Sequence, residues 1–145
     1  MVRLRNFGFF FYRFMLKMKL TGRLVKNWLL VFFWAGFIFF LSGQPDLGLG
    51  LSKNWSFLFS YLAHFLEYTI LTFLLIAAFR EHRLARKTVL ILAVLFALAY
   101  AFSDEYHQSF IAGRQATVQD VLVDSLAVFL VAWLAKRKVV KLTKW

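Results

Sequence analysis

The longest apolar stretch of the chain is FLFSYLAHFLEYTILTFLLIAAF, which covers Phe57–Phe79. Its 23 residues are interrupted only by His64 and Glu67. A helix needs about 20 apolar residues to cross the hydrocarbon core of a bilayer, so this stretch is long enough for a complete span. Residues three positions apart lie on one face of a helix, and His64 and Glu67 therefore share a face inside the predicted span.

Three further apolar runs accompany this stretch, namely Trp28–Leu41, Thr88–Phe102 and Val118–Ala135. Only helices and closed barrels satisfy every backbone group in lipid, and these runs lack the strict alternation of barrel strands. The sequence therefore predicts an all-α polytopic membrane protein, with four transmembrane helices in an antiparallel bundle. Residues 1–20 carry a basic amphipathic pattern that predicts an additional N-terminal interfacial helix.

This pattern divides the chain into a basic amphipathic segment at 1–26, a four-helix membrane domain at 27–136 and a basic cytoplasmic tail at 137–145. The composition agrees with a membrane protein, since 61% of the residues are hydrophobic and 19 are Phe. A soluble domain this small could not bury so much apolar surface. The chain has no cysteine, which excludes disulfides, thiolate metal sites and cysteine nucleophiles.

The basic residues predict the orientation in the membrane. Seven Lys and Arg precede the first span, four lie between the second and third, and five follow the fourth, whereas only Lys53 and Arg114 lie in the other two loops. By the positive-inside rule, both termini are expected in the cytoplasm, with loops 42–56 and 103–117 outside. The net charge of +11 is then expected to contact anionic lipids at the cytoplasmic face of the bilayer, and no nucleic acid.

Most acidic residues fall near the outward ends of the predicted spans, where ionisable groups are costly and normally face a protein interior or a watery cavity. His64 and Glu67 are either a pair that joins helices or part of a functional pocket. Thr117 and Asp120 resemble a capping box at the start of the fourth span. Asp124 lies deeper and either needs a partner or is held neutral by desolvation. The candidate polar site comprises Gln44, His64, Glu67, Asp104, Glu105, Gln108, Arg114, Asp120 and Asp124.

Arg114 is expected to organise this site, because it is nearly alone as an outward cation beside several acids. It is predicted to bridge Asp104 or Glu105 to Asp120 through charge-assisted hydrogen bonds. Metal ligands could come from His64, Glu67, Asp104, Glu105 and His107, but the spacing of these residues matches no established metal signature. No metal site and no cofactor are therefore predicted, and the catalytic residues, if there are any, stay unassigned.

Several of these residues carry a resemblance to a known family. The chain resembles the signature of the VanZ-like membrane proteins in one segment, which contains Asp104, Glu105, Gln108, Gly113, Arg114, Thr117, Asp120 and Asp124. It also resembles the family upstream, at Ser42-x-Gln44-Pro45 and at Lys53, His64, Phe65 and Tyr68. The similarity runs from about Trp28 to Trp133, and the family usually has Asn where this chain has Asp124.

The resemblance implies a small multi-pass membrane protein of the cell envelope. The founding member is associated with low-level teicoplanin resistance, and teicoplanin is a lipoglycopeptide with a fatty tail. The expected function is therefore binding of an amphipathic envelope molecule in an outward polar cleft: a lipid, a lipid-linked precursor or a lipoglycopeptide. Two alternatives stay open. One is a membrane-embedded enzyme that uses the outer carboxylates with Arg114, and the other is a structural or transport component.

Overall fold

The computed structural model describes residues 3–44, 53–112, 114 and 117–137, with side chains for 21–44, 55–112, 114 and 117–137. In chain order the helices are α1 (Arg3–Ser42), α2 (Lys53–Arg80), α3 (Arg86–Gln108) and α4 (Val118–Lys136), and this described part contains no strand. The segments long and apolar enough to cross a membrane are Thr21–Ser42, Trp55–Arg80, Arg86–Gln108 and Val118–Lys136. The predicted all-α fold with four such helices is confirmed.

Helix α1 is longer than one membrane span. Its 40 residues extend for about 60 Å at the usual helical rise, roughly twice the thickness of the hydrocarbon core. Residues 3–20 are helical and continue directly into the span. The amphipathic face predicted for residues 1–20 depends on side chains outside the described residues, so the interfacial placement stays a prediction, as do the three segment boundaries and the basic tail after Arg137.

Helix α2 lies at the centre of the bundle, where it packs against α4, α3 and α1. Helix α1 packs mainly on α2 and only slightly on α3. The buried residues of its span are Val31, Ile38 and Ser42, whose spacing places them on one narrow stripe. Phe32 and Phe33 on its other faces are 68% and 72% exposed. Helix α1 is therefore a peripheral helix attached to a three-helix core.

The core of the bundle depends on small residues in α3. Ala93, Ala97 and Ala101 recur every four residues and are completely buried. A stripe of alanines allows helix backbones to approach closely, which is how helices associate when lipid gives no hydrophobic driving force. The larger buried side chains come mostly from the neighbouring helices and include Tyr68, Leu71, Leu75, Ile76, Val128 and Val131.

The bundle has apolar side chains on its outer surface as well as in its core. Large exposed hydrophobic residues occur on all four helices, for example Phe40, Leu58, Phe102 and Leu122, each more than half exposed. On a water-soluble protein such a surface would cause aggregation. In a membrane these side chains contact lipid tails without a penalty. The residues whose burial costs free energy are therefore the polar ones.

One end of the bundle, here called the basic end, contains the α2–α3 connection and the C-terminus of α4. Asn27 Nδ2 donates to Ala77 O at 3.2 Å and to Glu81 Oε1 at 3.4 Å. Trp28 Nε1 donates to His82 Nε2 at 3.0 Å. Arg86 donates to the backbone carbonyls of Ala135 and Lys136, which are among the unpaired acceptors that every helix C-terminus leaves. These contacts fasten the helices to one another.

Candidate functional site

The opposite end of the bundle, here called the acidic end, buries a group of polar side chains, most of them ionisable. The end of α3, the start of α4 and one residue of α2 contribute them. All are at most 7% exposed, and they are His64, Asp104, Glu105, Gln108, Asp120 and Asp124. Asp104 and Gln108 continue the buried alanine stripe of α3 by further steps of three and four residues. The helices that pack the core therefore also bring these polar side chains together.

A histidine–aspartate contact between two helices lies deepest in this cluster. His64 Nδ1 of α2 lies 3.2 Å from Asp124 Oδ1 of α4, and Asp124 is completely buried. His64 and Glu67 are predicted either to join helices as a pair or to belong to a functional pocket, and His64 contacts the acid of the neighbouring helix. The expectation that Asp124 needs a partner is confirmed. Its other oxygen, Oδ2, is buried without a hydrogen bond.

Thr117 connects the acids of α3 and α4. It is the N-cap of α4, and its Oγ1 accepts a hydrogen bond from Asp120 N at 3.3 Å. This is half of the predicted capping box. The other half differs, because Thr117 N donates to Glu105 Oε2 at 3.0 Å. Thr117 Oγ1 also donates to Asp120 Oδ2 at 2.7 Å, so one residue orients two carboxylates from different helices.

Three carboxylates of the acidic end each have an oxygen without a hydrogen-bond donor. Asp104 Oδ2 accepts from Gln108 Nε2 at 3.2 Å, Glu105 Oε2 accepts from Thr117 and Asp124 Oδ1 pairs with His64. The second oxygens, Asp104 Oδ1, Glu105 Oε1 and Asp124 Oδ2, are buried without a partner. Buried polar groups are normally paired because desolvation is costly. The acidic end therefore contains buried acceptors to which no described protein donor forms a hydrogen bond.

Arg114 does not occupy the predicted position between the acids. Its Nε donates to Gln44 O at 2.8 Å and its Nη2 donates to Leu41 O at 2.8 Å. The predicted bridge from Asp104 or Glu105 to Asp120 is wrong, because Arg114 instead caps the end of α1. Backbone carbonyls at a helix C-terminus carry partial negative charge and lack helical partners, which makes them good acceptors for a guanidinium. Arg114 thus fastens α1 to the α3–α4 connection.

Two other predicted site residues are not among the buried residues of the cluster. The Gln44 side chain folds back on the end of α1, where Nε2 donates to Phe40 O at 3.2 Å. Glu67 is half-buried, and its backbone carbonyl accepts a hydrogen bond from Trp34 Nε1 at 2.9 Å. The side chain of Lys53 and the residues Pro45, Asp46, Gly113 and Gln115 lie outside the described residues.

The structure adds a second histidine contact that the sequence analysis does not predict. Ser42 Oγ lies 2.8 Å from His107 Nδ1, and the His107 ring stacks on Phe39 with 4.2 Å between centroids. These contacts join α1 to α3 beside the carboxylates. Ser42 lies on the same stripe as Val31 and Ile38, and that spacing is the signal in the sequence that indicates its burial.

One group of side chains within the acidic end has the composition of a metal site. A ring nitrogen of His64, one oxygen of Glu105 and one oxygen of Asp120 all lie within 4.8 Å of one another. No metal is predicted from the sequence, because the spacing of the candidate ligands matches no established signature, and Asp120 is not among those candidates. The same group can also accept hydrogen bonds from a ligand or hold a proton.

Comparison with known proteins identifies a family. No curated protein and no solved structure matches the chain. The family described as VanZ/LLP1 matches residues 24–141, which is more than half of the chain and includes the described residues of all four spans except the first residues of α1. The predicted resemblance is confirmed, and the protein belongs to the VanZ/LLP1 family.

Proposed function

We propose that this protein binds the polar head of an amphipathic envelope molecule at the acidic end of the bundle, which faces outward from the bacterial cytoplasmic membrane. The observation that carries the proposal is the set of buried carboxylate oxygens without donors, Asp104 Oδ1, Glu105 Oε1 and Asp124 Oδ2. A group that is unsatisfied in a folded protein is commonly completed by a ligand, an ion or water. These oxygens are acceptors, so the head group must supply donors.

The chemistry of the surrounding surface supports a ligand with an apolar tail. Phe39, Phe102, Tyr106 and Phe110 belong to the same end of the bundle, and each is more than half exposed. Tyr106 and Phe110 also pack edge to face, with 4.9 Å between ring centroids. Buried acceptors beside exposed aromatic rings suit a molecule whose head carries amines or hydroxyls and whose tail lies in lipid. The predicted cleft would require the cluster to open, because its carboxylates are buried.

A lipoglycopeptide or a lipid-linked cell-wall precursor has this combination of features. Both carry a fatty chain and a head with hydroxyl groups, and both act at the outer face of the bacterial membrane. The family resemblance to a protein associated with teicoplanin resistance agrees with this class of ligand. We therefore propose that the protein contributes to glycopeptide tolerance by binding such a molecule.

The proposal requires the acidic end to face outward, which the distribution of Lys and Arg predicts. Reporter fusions after Lys87 and Trp145 should be cytoplasmic, and fusions near Lys53 and Ala112 should be external. In this orientation the basic residues contact anionic lipids of the cytoplasmic leaflet. An external C-terminus would overturn the proposed function, because the carboxylates would then face the cytosol.

The function itself is tested by complementation of teicoplanin susceptibility in a strain that lacks the gene. Glu105→Gln and Asp104→Asn keep the side-chain shape but remove the carboxylate, and both should lose the complementing activity. Glu81→Gln is the matched control, since Glu81 lies at the basic end, and it should complement fully. Membrane abundance of each variant is measured in parallel. Normal activity in both acidic-end variants at normal abundance would refute the binding proposal.

A membrane-embedded enzyme is the second candidate, and a specific contact favours it. His64 is oriented by Asp124 at 3.2 Å, and it lies beside Glu105, which has a free oxygen. An imidazole held by a carboxylate is a common general base. Incubation of the purified protein with envelope lipids, followed by mass spectrometry, separates the two candidates: binding leaves the lipid mass unchanged, whereas catalysis changes it.

A structural or transport role is less favoured, because polar residues that only join helices should have all their hydrogen-bond acceptors satisfied.

A further inference from the structure

We propose that His64, Glu105 and Asp120 form a binding site for one divalent transition-metal cation, of the Mn²⁺ or Zn²⁺ class. The three residues come from α2, α3 and α4, so the cation would join the three helices of the core. The site belongs to the same acidic end as the proposed function, but binding of the metal requires no lipid and can be measured separately.

The distances between the ligand atoms support a shared cation. The nitrogen of His64 and the two carboxylate oxygens all lie within 4.8 Å of one another. A cation at the centre of such a triangle would lie roughly 2.8 Å or less from each atom, compared with about 2.0–2.2 Å for a Zn²⁺ bond to nitrogen or oxygen. Side-chain movements of less than an ångström would complete the coordination.

The contacts around the three residues orient them as metal ligands. The histidine ligand of a metal site usually donates its other ring N–H to a carboxylate, which fixes the ring and raises its basicity. His64 Nδ1 lies 3.2 Å from Asp124 Oδ1, which leaves Nε2 to bind the cation. Thr117 holds Glu105 Oε2 and Asp120 Oδ2. Each of these carboxylates keeps its second oxygen, and Glu105 Oε1 is buried without any hydrogen bond.

The balance of charge supports a cation independently of these distances. Four carboxylates are buried at the acidic end, namely those of Asp104, Glu105, Asp120 and Asp124, beside one imidazole. In the part of the chain that the structure describes, His64 lies beside Asp124, but it must be a neutral imidazole to bind a metal. The guanidinium of Arg114 is bonded to the backbone carbonyls of Leu41 and Gln44 instead of to these acids. Buried carboxylates without counter-charges are very costly. A dication would offset two of these negative charges.

The donor set selects the class of metal. One imidazole nitrogen with two carboxylate oxygens suits Zn²⁺ and Mn²⁺. Ca²⁺ requires six to eight oxygen ligands, and Mg²⁺ keeps several waters in near-ideal octahedral geometry, so both should bind more weakly here. Three protein ligands leave at least one coordination position open, as in catalytic metal sites. If the proposed function is correct, a hydroxyl oxygen of the head group would take that position.

The test uses the full chain, purified in detergent through a tag without histidines and stripped with EDTA. After equilibrium dialysis against Mn²⁺ or Zn²⁺, elemental analysis should find one metal per chain. Glu105→Gln and Asp120→Asn should weaken binding by at least about 100-fold, and Asp124→Asn by about 10- to 100-fold, the range for residues that orient ligands. Glu81→Gln should bind like the wild type. Electron spin-echo spectra of bound Mn²⁺ should show coupling to a histidine nitrogen that His64→Gln removes.

Two results would overturn this proposal. One is a wild-type protein that retains no more metal than protein-free detergent micelles. The other is unchanged binding in both Glu105→Gln and Asp120→Asn. Neither depends on a variant that fails to fold, since the first uses only the wild type and the substitutions preserve side-chain shape. If the wild type binds metal but Glu105→Gln and Asp104→Asn still complement drug susceptibility, the proposed function is refuted and the metal site is not. If Glu105→Gln loses complementation but the wild type binds no metal, the metal site is refuted and the proposed function is not.

Discussion

The two ends of the helical bundle differ in whether their polar side chains find hydrogen-bond partners. At the basic end, Asn27, Trp28 and Arg86 donate to acceptors on neighbouring helices, and these contacts join α1 to α2 and α3 to α4. At the acidic end, Glu105 and Asp124 are buried with oxygens that accept no hydrogen bond. Both ends belong to the same bundle, and the difference described here lies in how their polar side chains are paired.

This difference separates polar residues that hold the fold together from those that reduce its stability. Matched donors and acceptors at the basic end contribute to folding. Unmatched buried carboxylates at the acidic end cost stability, and proteins tolerate such groups mainly where function requires them. Measurements of stability at the two ends should therefore give effects of different size and, for some substitutions, of opposite sign.

The largest effect is expected from breaking the His64–Asp124 pair. His64→Leu leaves the buried Asp124 without its partner and should lower the free energy of unfolding by about 3–5 kcal/mol, measured by thermal unfolding in detergent with EDTA present. Replacing both residues by Leu should restore most of this loss, because no buried charge then stays unpaired. A loss below about 1 kcal/mol in His64→Leu would show that the pair carries little of the stability.

Removal of the Arg114 side chain should have the next largest effect. Arg114→Ala removes two hydrogen bonds to the end of α1 and should cost about 2–3 kcal/mol, because bonds from a charged donor are stronger than neutral ones. Arg114→Lys should lose part of this amount, since an ammonium cannot reproduce the two-armed contact of a guanidinium. If Arg114→Ala were as stable as the wild type, α1 would not depend on this contact.

A change of sign is expected at Glu105. In the absence of metal, Glu105→Gln should raise the free energy of unfolding by about 1 kcal/mol, because the amide supplies a donor among unsatisfied acceptors. In the presence of saturating Mn²⁺ the wild type should become the more stable of the two. The same thermal unfolding assay, with EDTA or with Mn²⁺, checks both statements. A variant that is less stable than the wild type in EDTA would contradict the view that this carboxylate is a cost to the fold.

The smallest effect is expected at the basic end. Trp28→Phe removes the hydrogen bond to His82 but keeps an aromatic ring against Phe79, which now lies 5.3 Å away in an edge-to-face contact. The cost should be below about 1 kcal/mol, since an exposed hydrogen bond contributes little. A loss as large as that of His64→Leu would remove the distinction between the two ends.

The fold could be predicted almost completely from the sequence, because apolar runs of sufficient length have few alternatives in a membrane. The helix ends were harder to predict. The uncharged run Thr88–Phe102 stops well before the end of α3 at Gln108. The last residues of α3 are mostly polar, yet they stay helical, and Asp104, Glu105 and Gln108 among them continue the buried side of the helix. A hydropathy pattern alone does not distinguish a polar helix end from a loop.

Six of the nine predicted site residues are buried at the acidic end, whereas Gln44, Glu67 and Arg114 are not among them. That these residues form a functional site stays a prediction, and their pairings could not be predicted. The need of Asp124 for a partner follows from its depth, whereas the choice of His64 depends on the packing of α2 against α4. Arg114 was assigned to the acids because opposite charges attract, but the acceptors nearest to it are backbone carbonyls, which a sequence does not display. The group of His64, Glu105 and Asp120 depends on three helices meeting at one depth, and no spacing along the chain records that.

The contact between α2 and α4 also has a consequence for biogenesis. Asp124 lies about 9 Å along α4 from its first residue, and an aspartate near the middle of an isolated helix makes insertion unfavourable by about 2.5–3.5 kcal/mol. Its partner His64 belongs to a helix that the ribosome completes some 40 residues earlier. Helix α4 is therefore inserted after α2, so that His64 is already in the membrane when Asp124 requires a partner.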